Sequence, residues 1–197
     1  HAKTVREYRE GLGRAAGPPA AAIGPAAANT PSTAIGEPSA LPVKYPKGDD
    51  RKAAEWVLSL GGEANITITA PGTASKLIRK KEDLPKGSFN IAKIDLAFGG
   101  SSPQPQVSVT DLDILAGLQD FEWLRLSGSS FTEPMLRILP SLPKLRALRL
   151  IESNYSDNAL EMIKQCKSLA TLIIETNQNF TGARLDELTP LHLMNFG

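Results

Sequence analysis

Two histidines and one cysteine are the whole supply of imidazole and thiol in this chain. His1 stands at the first position, so a serine–histidine–aspartate arrangement would have to run through His192. No Gly-x-Ser-x-Gly turn accompanies it. Cys166 sits alone in Cys166-Lys-Ser-Leu169, with no second thiol to share a metal, and reads as a small buried residue closing a helix. The close carboxylates Asp111 and Asp113 read as a helix start, and Asp186 with Glu187 as a helix surface. Gly61-Gly62 and Gly99-Gly100 lack the lysine and spacing of a phosphate loop. Catalytic residues, cofactors and metal ligands are therefore all expected to be absent. Lys76, Arg79, Lys80 and Lys81 form a small basic cluster, whose field Glu82 and Asp83 blunt. It reads as a solvated loop face, with contact to a phosphate or an acidic partner as the alternative.

The bulk composition agrees with a non-catalytic reading. Lysine plus arginine number 22 against 21 acids, a net charge of +1 that exerts no general pull toward nucleic acid or an anionic membrane. Hydrophobic residues make up 41%, enough for a packed core. The apolar runs fall far short of the roughly 20 residues that a membrane-spanning helix needs. A single cysteine excludes an internal disulfide and fits a reducing compartment, so the expected location is cytoplasmic.

Residues 1–10 place Val5 and Tyr8 at helical spacing and could be the tail of an upstream domain. Residues 11–48 read as a flexible linker. Seven prolines, five glycines and ten alanines between Gly11 and Lys47 leave too little apolar surface to offset the entropy of ordering them. Residues 49–88 read as an N-terminal cap of a helix plus a strand. Asp49 or Asp50 caps a helix with apolar positions Ala53, Ala54, Trp56, Val57 and Leu60, and Gly61-Gly62 stops it. Ala64-Asn-Ile-Thr-Ile-Thr69 then alternates as a half-buried strand.

Residues 89–197 repeat themselves. Phe121-x-x-Leu124-x-Leu126, Leu145-x-x-Leu148-x-Leu150 and Leu169-x-x-Leu172-x-Ile174 place their central leucines 24 residues apart. Ile91-x-x-Ile94-x-Leu96 precedes them, and Leu191-x-x-Met194-x-Phe196 starts another unit. In phase with these strands come a bulky apolar residue, a hydroxyl residue and a later leucine or isoleucine: Val109-Thr110, Phe131-Thr132, Tyr155-Ser156 and Phe180-Thr181. Asp111, Glu133 and Asp157 follow the hydroxyl. That order reads as an N-capped helix with a carboxylate at its positive end.

The chain resembles the leucine-rich repeat family over roughly residues 89–197, and more loosely over 49–88. It is closest in pattern to the ribonuclease-inhibitor-like and F-box-associated kind, and is similar to planctomycete-type bacterial repeat arrays. Ser129 and Ser153 stand where that family carries asparagine or cysteine. The resemblance implies an α/β fold: a right-handed solenoid with a parallel concave sheet and outer helices, of about four repeats plus a truncated last one. It also implies a terminal cap, which Phe196-Gly197 does not provide, so self-association through the uncapped C-terminal end is expected.

Strand alternation sends the residues between the leucines to the open face. These include Lys93 and Asp95, Trp123 and Arg125, Arg149 and Ile151, and Ile173 and Glu175. Tryptophan and arginine are enriched at binding hot spots. The expectation is a protein–protein interaction module that takes a protein or peptide, not nucleic acid or membrane, on this face. The alternatives are a recognition arm of a larger enzyme, such as a bacterial Ser/Thr kinase or a ubiquitin ligase, and a structural spacer in a long array.

Overall fold

The computed structural model describes residues 46–98, 104–176, 179–185, 188 and 192–196, the last five as backbone. Residues 1–10 and most of the linker lie outside the described residues, as do Asp186 and Glu187.

Helix α1 spans Asp50–Ser59. The Asp49 side chain accepts the Lys52 N–H at 3.0 Å, satisfying one free amide of the first turn. Gly61 and Gly62, at φ +68° and +62°, end the run. Ala53, Ala54 and Val57 face the core, while the polar side of the first turn fastens the helix to the start of the third strand and the loop before it. There Asp50 accepts the Ile91 N–H at 2.7 Å, and Arg51 donates to the Pro85 carbonyl at 2.6 Å while lying over the Phe89 ring.

Seven strands follow: β1 Asn65–Thr69, β2 Lys76–Ile78, β3 Asn90–Ala97, β4 Trp123–Ser127, β5 Ala147–Ile151, β6 Thr171–Glu175 and β7 His192–Phe196. They form one sheet in the order β2-β1-β3-β4-β5-β6-β7. From β3 to β7 neighbours are parallel, but β1 is antiparallel to both β2 and β3. Connection length explains the change. Residues 70–75 join β1 to β2 through a turn with Gly72 at φ +74°, far too short for the crossover that parallel strands require. Residues 128–146 and 152–170 are long enough for one.

The expected leucine-rich repeat solenoid, with its wholly parallel sheet and outer helices, is thereby overturned. The sheet is mixed, and the described residues contain few helices. The segments outside the parallel strands are 3₁₀ turns at Asp111–Leu115 and Glu133–Ser141, and a five-residue helix α2 at Ala159–Ile163. Pro140 lies inside the longer 3₁₀ segment and denies an α-helical ladder a donor there, while Pro134 occupies its first turn, where no donor is lost.

The carboxylates expected at the positive helix ends also do something else. Glu133 accepts the Ser156 N–H at 2.6 Å, and Asp157 accepts the N–H groups of Thr181 at 3.1 Å and Gly182 at 2.9 Å. Each therefore reaches about one repeat forward. Only Asp111 bonds locally, to the Ser108 N–H at 2.7 Å. Thr110 and Thr132 make no side-chain cap bond.

A single core runs through both parts of the sheet, from Ala53 and Ile66 to Leu172 and Leu188. Phe98 and Phe131 stack within it at 5.7 Å. Gly128, Glu152 and Thr176 recur just past successive strands, all at positive φ (126°, 50° and 54°). The linker reading ends sooner than expected, because Gly48 donates its N–H to the Gly117 carbonyl at 2.8 Å. Gly117 sits at φ +77°, and a Cβ there would collide with the Pro46 carbonyl oxygen. Cys166 is 5% exposed, and burial pushes its thiol pKa up. In the last strand the register slips: Leu193, not Met194, stands beside Leu172, before Phe196 falls beside Ile174.

Candidate binding face of the sheet

Pairing register, rather than proximity in sequence, assembles the open face. One row crosses six strands as Leu77, Thr67, Lys93, Trp123, Ala147 and Thr171. The next reads Asn65, Asp95, Arg125, Arg149 and Ile173. The third reads Ala97, Ser127, Ile151 and Glu175. The intervening residues Ile66, Ile94, Leu124, Leu148 and Leu172 are buried behind the sheet.

In the first row Lys93 is exposed and Trp123 half-buried, and neighbouring strands stand about 4.8 Å apart. In the second row Arg125 and Arg149 are direct cross-strand neighbours, an arrangement that costs stability unless it is compensated. Acids on either flank supply the compensation. Asp95 lies 3.5 Å from Arg125, and Arg149 donates to both Glu175 oxygens at 3.0 and 3.3 Å. Ile173, half-buried, completes the row beside Arg149. Ile151 does not belong with the presented residues. At 7% exposed it is buried, flanked in register by Ser127 and Glu175.

The pairing is not saturated. Asp95 Oδ1, Arg125 Nε and Arg149 Nε are covered and lack hydrogen-bond partners among the described residues. Burial raises the Asp95 carboxyl above its ordinary 3.8 against the opposing pull of Arg125, and nearby Glu63 pushes the same way as burial. Beside this row opens a polar hollow of about 350 Å³, with Asn65, Arg79, Asp95 and Arg125 among its walls. A second, of about 360 Å³, opens beside Lys93, Thr67 and Glu122. Their polar walls suit side chains or main-chain amides better than an apolar cofactor.

The residues first considered for chemistry do not converge. His1 lies outside the described residues, and His192 contributes only backbone to β7. Asp113 pairs with Arg137 at 2.5 Å instead of joining Asp111. Among the described residues, no three histidine, cysteine or acidic side chains cluster to hold a metal ion. None of their helices is long and apolar enough to cross a membrane.

Sequence reasoning missed that β1 and β2 extend the same face. The alternation in Asn65-Ile-Thr67 carried the signal for β1, but nothing in Lys76-Leu-Ile78 marked Leu77 as its outer member. Compared with known proteins, the chain matches no protein-family model and no curated protein.

Proposed function

We propose that this chain is a non-catalytic binding module that takes a protein or peptide on the open face of its mixed sheet. The observation that carries the reading is the middle row. Asp95, Arg125, Arg149 and Glu175 lie side by side, mutually neutralised, with three covered polar atoms left unpartnered among the described residues. Covered polar groups without partners cost about 1–3 kcal/mol each, so a ligand that draws these half-buried side chains outward to meet its own donors and acceptors recovers that energy on binding. A peptide main chain offers both kinds of group. Trp123, one row away, adds an aromatic anchor of the type found at hot spots, and Lys93 beside it adds an exposed charge. A module of this kind is consistent with work inside a reducing compartment, where its one buried thiol would persist.

The test is selection of binders from a displayed library of random twelve-residue peptides against the full chain. The selected peptides are expected to lose at least about 30-fold in affinity with Trp123→Ala, the scale of a hot-spot truncation. They should weaken less with Arg149→Ala, which removes one of the charges facing Glu175. Thermal melts of both variants guard against misfolding. Peptides that bind these folded variants as tightly as the native chain would remove the reading.

A further inference from the structure

We infer that the outer edge of β2 accepts an extended acidic peptide segment as an additional strand. This edge borders the face that carries Trp123, but lies three strands away from it. Four observations support it. First, β2 is the last strand in the sheet order, so one side of its main chain faces away from β1. Among the described residues, no main-chain group outside the hairpin bonds to residues 76–79. Such an edge is a template for another chain.

Second, Leu77 is 47% exposed, the one large hydrophobic side chain so exposed among the described residues. Third, Lys76, Arg79, Lys80 and Lys81 are all exposed, and none takes part in an ion pair among the described residues. Every other arginine or lysine named above in an ion pair is answered by an acid on a neighbouring strand or turn. Fourth, the charge decides the occupant. Two copies of this edge would bring eight cations together against the four acids of Glu82 and Asp83, so the net positive charge opposes self-pairing while attracting an acidic strand.

β2 itself supplies only three residues of ladder. Main-chain bonds over so short a length are weak alone, and the flanking cations and the Leu77 side chain must add to them. This is the pattern of β-strand addition, in which main-chain bonds give affinity and alternate side chains give specificity. A nucleic acid would use the charges but neither the edge amides nor Leu77, and would look for an exposed aromatic platform. The exposed apolar group here is an aliphatic one.

The experiment is a titration of the full chain, followed by backbone amide NMR shifts. The ligand is a blocked eight-residue peptide of alternating glutamate and valine with aspartate at both ends. Shifts are expected to centre on residues 76–81. A peptide N-methylated at its valine amides, which removes the donors on one edge while keeping the charge, should bind at least tenfold more weakly. Lys76→Glu combined with Lys80→Glu should weaken the parent peptide at least tenfold, and Trp123→Ala should leave it unchanged. Equal binding of the N-methylated peptide, or tighter binding of an eight-nucleotide oligothymidine, would overturn the inference. So would peptide shifts centred on Trp123, or no binding at all.

Discussion

The two ends of the sheet hold themselves together by different means. In the parallel part, a charge in one unit is answered one unit along. Asp113 meets Arg137, Asp120 meets Lys144 at 2.6 Å, Glu161 meets Arg184, and Glu133 and Asp157 reach forward to backbone N–H groups. In the antiparallel part, the cations of β2 and the turn after it have no such counterpart among the described residues. The strands there are held by α1 from behind, through Ala53, Ala54, Val57 and the Asp50 and Arg51 bonds. Repetition provides a partner wherever a copy follows. An edge has no following copy, and its residues are left available for something else.

The largest effect should come from asking whether the two parts are one body. Leu148 lies in the parallel region and Ile66 in the antiparallel one, and both are almost completely buried in one core. Either residue changed to alanine is expected to cost about 2–5 kcal/mol. Unfolding in denaturant, followed by tryptophan fluorescence and circular dichroism, should remain a single transition in both variants. Separate transitions for Ile66→Ala would split the molecule at β1–β3.

The next test strikes the seam. Gly117→Ala places a side chain at φ +77° against the Pro46 carbonyl. It should cost about 2–3 kcal/mol, at the upper end of ordinary single substitutions. Hydrogen exchange at Gly48, whose N–H donates to Gly117, should accelerate well beyond that of the β4 and β5 amides. Equal acceleration everywhere would mean that the seam is not local.

A smaller contrast separates answered charges from unanswered ones. Asp157→Ala removes an acceptor shared by Thr181 and Gly182, and should cost about 1.5–3 kcal/mol. Lys76→Ala should stay within about 0.5 kcal/mol of the native chain. Urea midpoints compare the two, and similar losses would erase the distinction.

The finest test is acid. Burial raises the carboxyls of Asp50 and Asp95 above 3.8, so the native state holds their protons more tightly than the unfolded chain does. Their contribution to stability therefore falls as pH rises from 3.8 through the raised values, and grows on acidification. Asp111 is lowered by the Ser108 amide, and Glu161 by Lys164 and then Arg184. Their contributions are complete above 3.8 and 4.5 and fade as pH falls below those values. Protection factors measured from about pH 5 down to about pH 3 should hold up better around α1 and β3 than around α2. The same trend in both places would contradict the assignment.

Much of the strand placement was legible, because Leu124, Leu148 and Leu172 repeat a period that only stacked strands satisfy. The arginine pair and its two acids were legible for the same reason: a common period makes register arithmetic. The outer segments were misread because a hydroxyl followed by an acid looks the same whether the acid sits at the start of its own helix or reaches the next unit. Glu133 and Asp157 do the latter. Leu77 was invisible because three residues cannot display an alternation, and β2 becomes a strand only by pairing with β1. Ile151 was placed outside by parity alone, which says nothing about how its neighbours cover it. The one-residue slip at Leu193 depends on an irregularity that spacing does not encode.

The lone thiol of Cys166 is sealed beneath the β5–β6 connection, its sulfur facing the Leu145 carbonyl and the Ser168 hydroxyl. Because the chain carries no other cysteine, an alkylating reagent can add one mass tag per molecule and no more. Thiolate does the reacting, and burial suppresses it, so tagging requires that neighbourhood to open. The molecule thus carries a built-in clock whose ticking under rising urea records how often its parallel half breathes.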